Sequence, residues 1–241
     1  MKIIPLSEGR FTIDASKIFI PFDSSKDDLY ARPQGSLLVE IQPFVVIAGA
    51  DIILLDTGLG FAGDSGMPQL HQNLIKQGIE PSKITRVLLS HLHKDHAGCI
   101  LWDGKPAFEN ADYYINRQEM EYALEKGSPS YQIEQFEQIS CFNKVNWIEG
   151  DGRIDELISY ETCGGHCPFH TIFWLRENGQ VIFYGGDVAP QLQQMKTRFT
   201  TKYDFEPRRS MELRSKWWQQ GKEEKWEFLF YHDIGNPVIS L

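Results

Sequence analysis

The 241-residue chain predicts an α+β fold built as one domain over residues 1–241. Three observations carry this. Strand-like apolar runs and amphipathic helical patterns are mixed along the whole length. No Pro/Gly/Ser linker, internal repeat or low-complexity tract divides them. The composition, 41% apolar and 24% charged, is that of a globular chain long enough to bury a core without staples.

The elements follow in order. Residues 18–20, 36–41, 44–48 and 52–55 are short β-branched, aromatic and apolar runs between turn residues, and predict strands. Residues 67–77 predict a helix: Pro68 suits its first turn, Leu70, Leu74 and Ile75 form an apolar stripe, and Gly78 closes it. After a connector at 81–85, the apolar run 87–89 predicts a strand leading into SHLHKDHAG. A strand at 112–115 precedes a helix at 117–126 that Gly127 ends. Strands are predicted at 171–175 and 181–184, a helix at 208–220, and a last strand at 228–231.

Charge and composition exclude several function classes. With 24 Lys+Arg against 33 Asp+Glu the net charge is −9, the wrong sign for a nucleic-acid surface. Four cysteines make no disulfide framework and suit a reducing compartment. No apolar run approaches the roughly 20 residues of a membrane helix. The N-terminal apolar run is broken by Ser7, Glu8 and Arg10, too short for a signal peptide. The expectation is a cytoplasmic protein acting on a small molecule, with neither nucleic acid nor membrane as partner.

Residues 91–96 read His-Leu-His-Lys-Asp-His, a pattern whose chance occurrence in this composition is on the order of 4 in 10,000. In an extended segment, side chains two apart point the same way, so His91 and His93 can address one metal. Asp95 and His96, on the turn that follows, can reach a second. Further ligands are available in His166, within the Gly-rich CGGHC, in Asp187 after VIFYGG, and in His232 after the predicted last strand. Counting assigns His91, His93 and His166 to one metal, Asp95, His96 and His232 to the other, and Asp187 to both. That leaves an open position on each ion, as catalytic sites do. Imidazole-rich ligands suit zinc, and the two carboxylates also admit manganese or iron.

HLHKDH, the GGH ending at His166, the GGD ending at Asp187 and His232 together resemble the dinuclear metallo-β-lactamase-fold hydrolases. LLDTGLG at 54–60 resembles that superfamily's first motif, whose Asp corresponds to Asp56. The resemblance covers about residues 36–235 and implies a four-layer αββα sandwich with the metals at one edge of its two sheets. Asp187 and His232 set the chain apart from drug-hydrolysing lactamases, and His93 from the flavo-diiron branch, which has Glu there. RNA-processing nucleases of the fold carry basic or helical modules for which this chain has no room. TGLG at 57–60 and the stretch 202–207 resemble the lactonase-like branch, which includes acyl-homoserine lactonases.

That branch implies opening of a lactone or related ester by a hydroxide shared between two metals, with Asp95 passing a proton to the leaving alkoxide. One departure stands out. Some lactonases carry a Tyr three residues after the bridging Asp, where this chain has Pro190, and Tyr203 is the candidate substitute. Glyoxalase II-type thioesterases share all seven ligands and are the alternative, although they usually add a basic C-terminal helical region. Arg208 and Arg209 are better read as solvated charges at a helix start. Iron-dependent sulfur dioxygenases, with one iron, are a further alternative that the complete second ligand set disfavours.

Other residues have two readings each. Asp56 either accepts a hydrogen bond from a ligand His or forms a turn. Cys163 and Cys167 flank His166 but read as small buried hydrophobes. His170 is either structural or a support for the Gly-His loop. Trp217, Trp218 and Trp226 read as packing, with an exposed pair serving as the face of a homodimer. Phe22, Tyr30 and Phe61 are candidates to wall an acyl pocket.

Overall fold

The computed structural model describes residues 1–63, 66–127 and 129–241. Two six-stranded sheets face each other. The first runs Lys2–Pro5, Phe44–Ala48, Asp51–Leu55, Arg86–Leu88, Asp112–Asn116, Val145–Ile148. Its first three strands are antiparallel neighbours, and pairing is parallel from Asp51–Leu55 onward. The second runs Gly152–Arg153, Ile158–Thr162, Thr171–Glu177, Gln180–Tyr184, Glu227–Leu229, Val238–Ser240. Its one parallel pair joins Gln180–Tyr184 to Glu227–Leu229. Between these two the chain passes through the helix Pro207–Glu224. A small sheet of Ile20–Pro21, Gly9–Ile13 and Leu37–Ile41 flanks them.

Period-two alternation divides the apolar residues among three cores. Val45, Leu54 and Val87 point outward from the first sheet onto Leu70 and Leu74 of helix Gln69–Lys76 and onto Met120 and Ala123 of helix Arg117–Lys126. Val46, Ile53, Leu55 and Leu88 point inward and meet Phe173, Leu175, Ile182, Tyr184 and Leu229 of the second sheet. Ile172, Phe183 and Phe228 point out the other way, onto Trp217 of the long helix. Three cores between four layers make the αββα sandwich. Phe11, Phe19 and Val39 of the small sheet extend the middle core.

Local signals hold where they are strong. Asn116 caps helix Arg117–Lys126 by accepting from the Gln118 and Glu119 amides at 2.9 and 3.1 Å. Gly127 ends that helix at φ 54°, a left-handed conformation suited to glycine. Other expectations are corrected. Ile75 is 41% exposed rather than part of the buried stripe. The predicted last strand is Glu227–Leu229, and a further strand, Val238–Ser240, pairs antiparallel with it. Strands Lys2–Pro5, Gly9–Ile13, Val145–Ile148 and Ile158–Thr162 have little local signature and exist through pairing with strands distant in sequence. Trp217 and Trp226 are fully buried, so they pack the third core and offer no exposed face. Among the described residues no helix is long and apolar enough to cross a membrane.

Candidate metal centre

Both sheets deliver their chemistry at the carboxyl ends of parallel strands. Asp56 follows Asp51–Leu55, His91 follows Arg86–Leu88, Asp187 follows Gln180–Tyr184, and His232 follows Glu227–Leu229. Chain direction within the parallel pairs brings these loops to one edge, where sheet proteins collect ligands. His93 precedes the one-turn helix Lys94–Ala97, which turns Asp95 and His96 back toward that edge.

All seven predicted residues converge there in two groups. His91, His93 and His166 form one, and Asp95, His96, Asp187 and His232 the other, each with its ligating atoms within 4.8 Å of one another. His93 Nδ1 lies 3.0 Å from His91 Nε2 and 3.1 Å from His166 Nε2. In the second group Asp187 Oδ1 is 3.0 Å from both His96 Nε2 and His232 Nε2, and Asp95 Oδ2 is 3.5 Å from His232 Nε2. The other oxygen of Asp187 lies 3.3 Å from His166 Nε2, so this carboxylate stands between the groups.

The residues fit metal ions. Donors about 2.0–2.1 Å from a tetrahedral cation sit roughly 3.3 Å apart, close to the nitrogen and oxygen separations seen here. His96 Nε2 and Asp187 Oδ1 are buried without an aligned hydrogen-bond partner, an arrangement that is costly unless a cation answers both. Two adjacent groups of imidazoles and carboxylates, with Asp187 between them, suit two divalent ions.

The ring nitrogens pointing away from the centre are held by the fold. Asp56, fully buried at φ 59°, places Oδ2 2.7 Å from His96 Nδ1. It also accepts from the Ser90 amide and hydroxyl, each at 2.7 Å, and from the Tyr184 hydroxyl. Both readings of Asp56 therefore apply: it sits in a left-handed turn and it orients a ligand. Asp204 Oδ1 lies 3.1 Å from His166 Nδ1, and Arg214 stands 3.9 Å from its other oxygen. His232 Nδ1 donates to the Glu40 carbonyl at 2.8 Å. The Asp187 amide donates to His170 Nε2 at 3.1 Å, so His170 supports the bridging residue from beneath. Sequence reasoning missed Asp204, Ser90 and Tyr184 as orienting groups. The adjacency of Ser90 to His91, and of Asp204 to the 202–207 stretch, were the available signals.

Electrostatics follow from burial and neighbours. Burial, with His96 and other imidazoles close by, pushes His91 well below the usual histidine range; burial and His166 do the same to His93. Both stay neutral, the form that ligates. Burial opposes charge on His96 and His232 too, but there Asp187 and Asp95 outweigh it and raise both. Burial would raise Asp187, yet His232, His96 and His166 hold it well below the usual carboxylate range.

A cavity of about 230 Å³ opens onto the centre. Its apolar wall comes from Ile13, Phe19, Leu37, Val39 and Phe199, and Pro190 lies on it as well. Phe22, Tyr30 and Phe61 are not among its lining residues, which corrects the sequence expectation: Tyr30 is 92% exposed and Phe61 packs against Phe11. Tyr203 does line the cavity, but its hydroxyl lies 3.5 Å from the Gly35 carbonyl. Cys163 and Cys167 are buried, unpaired and outside both ligand groups. Cys167 Sγ donates to Glu119 at 3.3 Å. Arg209 donates Nε–H to the Cys163 carbonyl at 2.7 Å, so it is more anchored than a solvated charge.

Known proteins share this fold. An N-acyl homoserine lactonase of Bacillus thuringiensis is 26% identical over 170 residues, which are 67% of this chain and 61% of that protein. The chain thus spans about three fifths of the length of the curated relatives it matches. A probable metal-dependent hydrolase from Staphylococcus aureus superposes with a TM-score of 0.81 at 21% identity, covering 99% of this chain and 91% of the other. AidC, a dizinc quorum-quenching lactonase solved with a product, superposes at 0.73 with 19% identity, covering 98% and 88%. These superpositions establish the fold. The model of the metallo-beta-lactamase superfamily matches residues 39–225, and the chain belongs to that superfamily.

Proposed function

We propose that residues 1–241 act as one domain, a dinuclear metal-dependent hydrolase that opens a lactone or related ester of the acyl-homoserine-lactone kind. The observation that carries this is the two adjacent groups of candidate ligands, with Asp187 standing between them, at the floor of a cavity with an apolar wall. The lactonases among the relatives and structural neighbours support the substrate class. His91, His93 and His166 would hold one ion, Asp95, His96 and His232 the other, and Asp187 both. Imidazole predominance favours zinc, with manganese or iron admitted by the carboxylates. Bound there, two divalent ions supply Lewis acidity that acidifies water and polarises a carbonyl.

The chain's own groups do the rest. Asp95 faces the cavity with its backbone carbonyl held by the Tyr231 hydroxyl at 2.5 Å, which positions its carboxylate to carry a proton to the departing alkoxide. The acyl C–O bond breaks as water adds to the carbonyl carbon, leaving a carboxylate and an alcohol. The Pro190 carbonyl accepts the His232 amide at 3.0 Å and keeps that loop against the site. The apolar wall orients the acyl part and excludes bulk water.

Proton release on adding an acyl-homoserine lactone to the zinc- or manganese-loaded chain tests this, with Asp187→Asn alongside. Ring opening that the variant loses supports the reading. No release from a chain shown to hold two metals overturns lactone opening. Pro190 at the tyrosine position favours thioester hydrolysis as the second reading, and thioesters are then the substrates to try.

A further inference from the structure

Two lysines on the cavity wall have no role in the chemistry above. Lys17 and Lys94 both line the cavity beside His93, Asp95 and His166, and both are half-buried. Neither forms an ion pair among the described residues, in a chain whose net charge is −9. Lys94 stands between His93 and Asp95 in the chain, and both of those neighbours belong to the candidate ligand groups.

The fold holds both cations on the wall of one cavity. Lys17 sits at φ 60°, a left-handed conformation costly for a side chain-bearing residue. The turn that imposes it is tied by Asp14, which accepts from the Ser16 amide at 2.8 Å and from the Lys17 amide through its carbonyl at 3.2 Å. Aromatic faces then receive both ammonium groups: Lys17 lies 4.8 Å from the Tyr203 ring centroid and Lys94 5.9 Å from that of Phe19. Lys202 lies 5.2 Å over the same Tyr203 ring. Two half-buried ammonium groups on one cavity wall, neither in a salt bridge among the described residues, offer charge-assisted hydrogen bonds to an anion that enters the cavity.

We infer that Lys17 and Lys94 form an anion subsite beside the metal centre, so the preferred substrate is an ester or lactone whose acyl part ends in a carboxylate or phosphate. This rests on the hydrolase reading for its reaction, while the apolar wall covers the methylene segment between the two ends.

The test compares glutarate with butanoate binding to the zinc-loaded chain by calorimetry. Each offers one carboxylate to the metal centre, and glutarate alone carries a second for the lysines. Glutarate is expected to bind about tenfold tighter, as two partly exposed charge contacts allow. The advantage should vanish in the Lys17→Gln, Lys94→Gln double variant and survive in the Lys17→Arg, Lys94→Arg variant. Equal affinities in the unaltered chain, or an advantage that outlives the Gln substitutions, overturn the subsite. In parallel, kcat/KM is measured for mono-4-nitrophenyl glutarate and 4-nitrophenyl butanoate. Turnover of both esters without preference overturns the subsite and leaves the hydrolase intact. No turnover of either, with glutarate binding that still follows the lysines, overturns the ester-hydrolase reading and leaves the subsite standing.

Discussion

The carboxylate of Asp56 lies 2.7 Å from Nδ1 of His96, with both side chains fully removed from solvent. Asp56 thereby fixes which nitrogen of His96 faces the second ligand group, and it does so from a left-handed turn at φ 59°. Asn tolerates that conformation, so Asp56→Asn removes the charge without straining the backbone. It is expected to weaken metal binding at the His96 group by about 10- to 100-fold, read by competition with a chelator. Asp56→Ala also strands the donors of Ser90 and Tyr184 and should cost about 3 kcal/mol in denaturant unfolding.

Asp204 does for His166 what Asp56 does for His96, with Arg214 fully buried behind it. Asp204→Asn should release His166 and empty the first ligand group before the second. Metal analysis would then fall from two ions toward one per chain. Asp204→Ala adds the cost of a buried guanidinium left without its acid, about 3 kcal/mol or more.

Glu8 predicts a pH dependence away from the ligands. Burial pushes its carboxyl from 4.5 up to about 7, against the Leu59 amide that favours its charge. The unfolded chain loses this proton near pH 4.5, while the folded chain keeps it to about 7. The folded state therefore binds more protons in that window, and stability falls as pH rises through it. The loss is about 3 kcal/mol by pH 8, from the size of the shift. Glu8→Gln should flatten this part of the profile, measured by denaturant unfolding at pH 5 and pH 8. An unchanged slope would contradict it.

Metal removal should destabilise the whole edge. Each ion held about 100-fold above its dissociation constant contributes about 2.7 kcal/mol. Losing two should lower the melting temperature of a chain this size by roughly 10–20 °C. A chelator titration followed by calorimetry reads this, and re-adding zinc should restore the original value.

Gly60 sets a local limit. At φ +71° its added Cβ would run into the Gly98 carbonyl, so the loop after Asp56 and the loop after His96 touch backbone to backbone. Gly60→Ala should cost about 2 kcal/mol or more and lower metal occupancy along with stability.

The convergence of the candidate ligands was legible in the sequence because four of them occupy one short segment, where alternation and a single turn decide which way side chains point. Asp187 and His232 were legible because each follows an apolar strand, and chain direction brings strand ends together. The helix at Arg117–Lys126 was legible for the same local reason, with Asn116 and Gly127 marking its ends. Those properties need only a few consecutive residues.

Contacts across the chain were decided by tertiary structure. Asp204 meets His166 over a separation of 38 residues, and the Glu40 carbonyl meets His232 over 192. Neither partner carries a local mark, because any acid or carbonyl looks alike until strand register sets what it faces. The cavity wall shows the same limit. Phe19, Val39 and Phe199 line it while Phe22, Tyr30 and Phe61 do not, and the lining residues come to the cavity from segments far apart in the chain. Residue types and spacing determined which side chains are candidates to ligate, and the packing of the sheets decided how those residues are aimed.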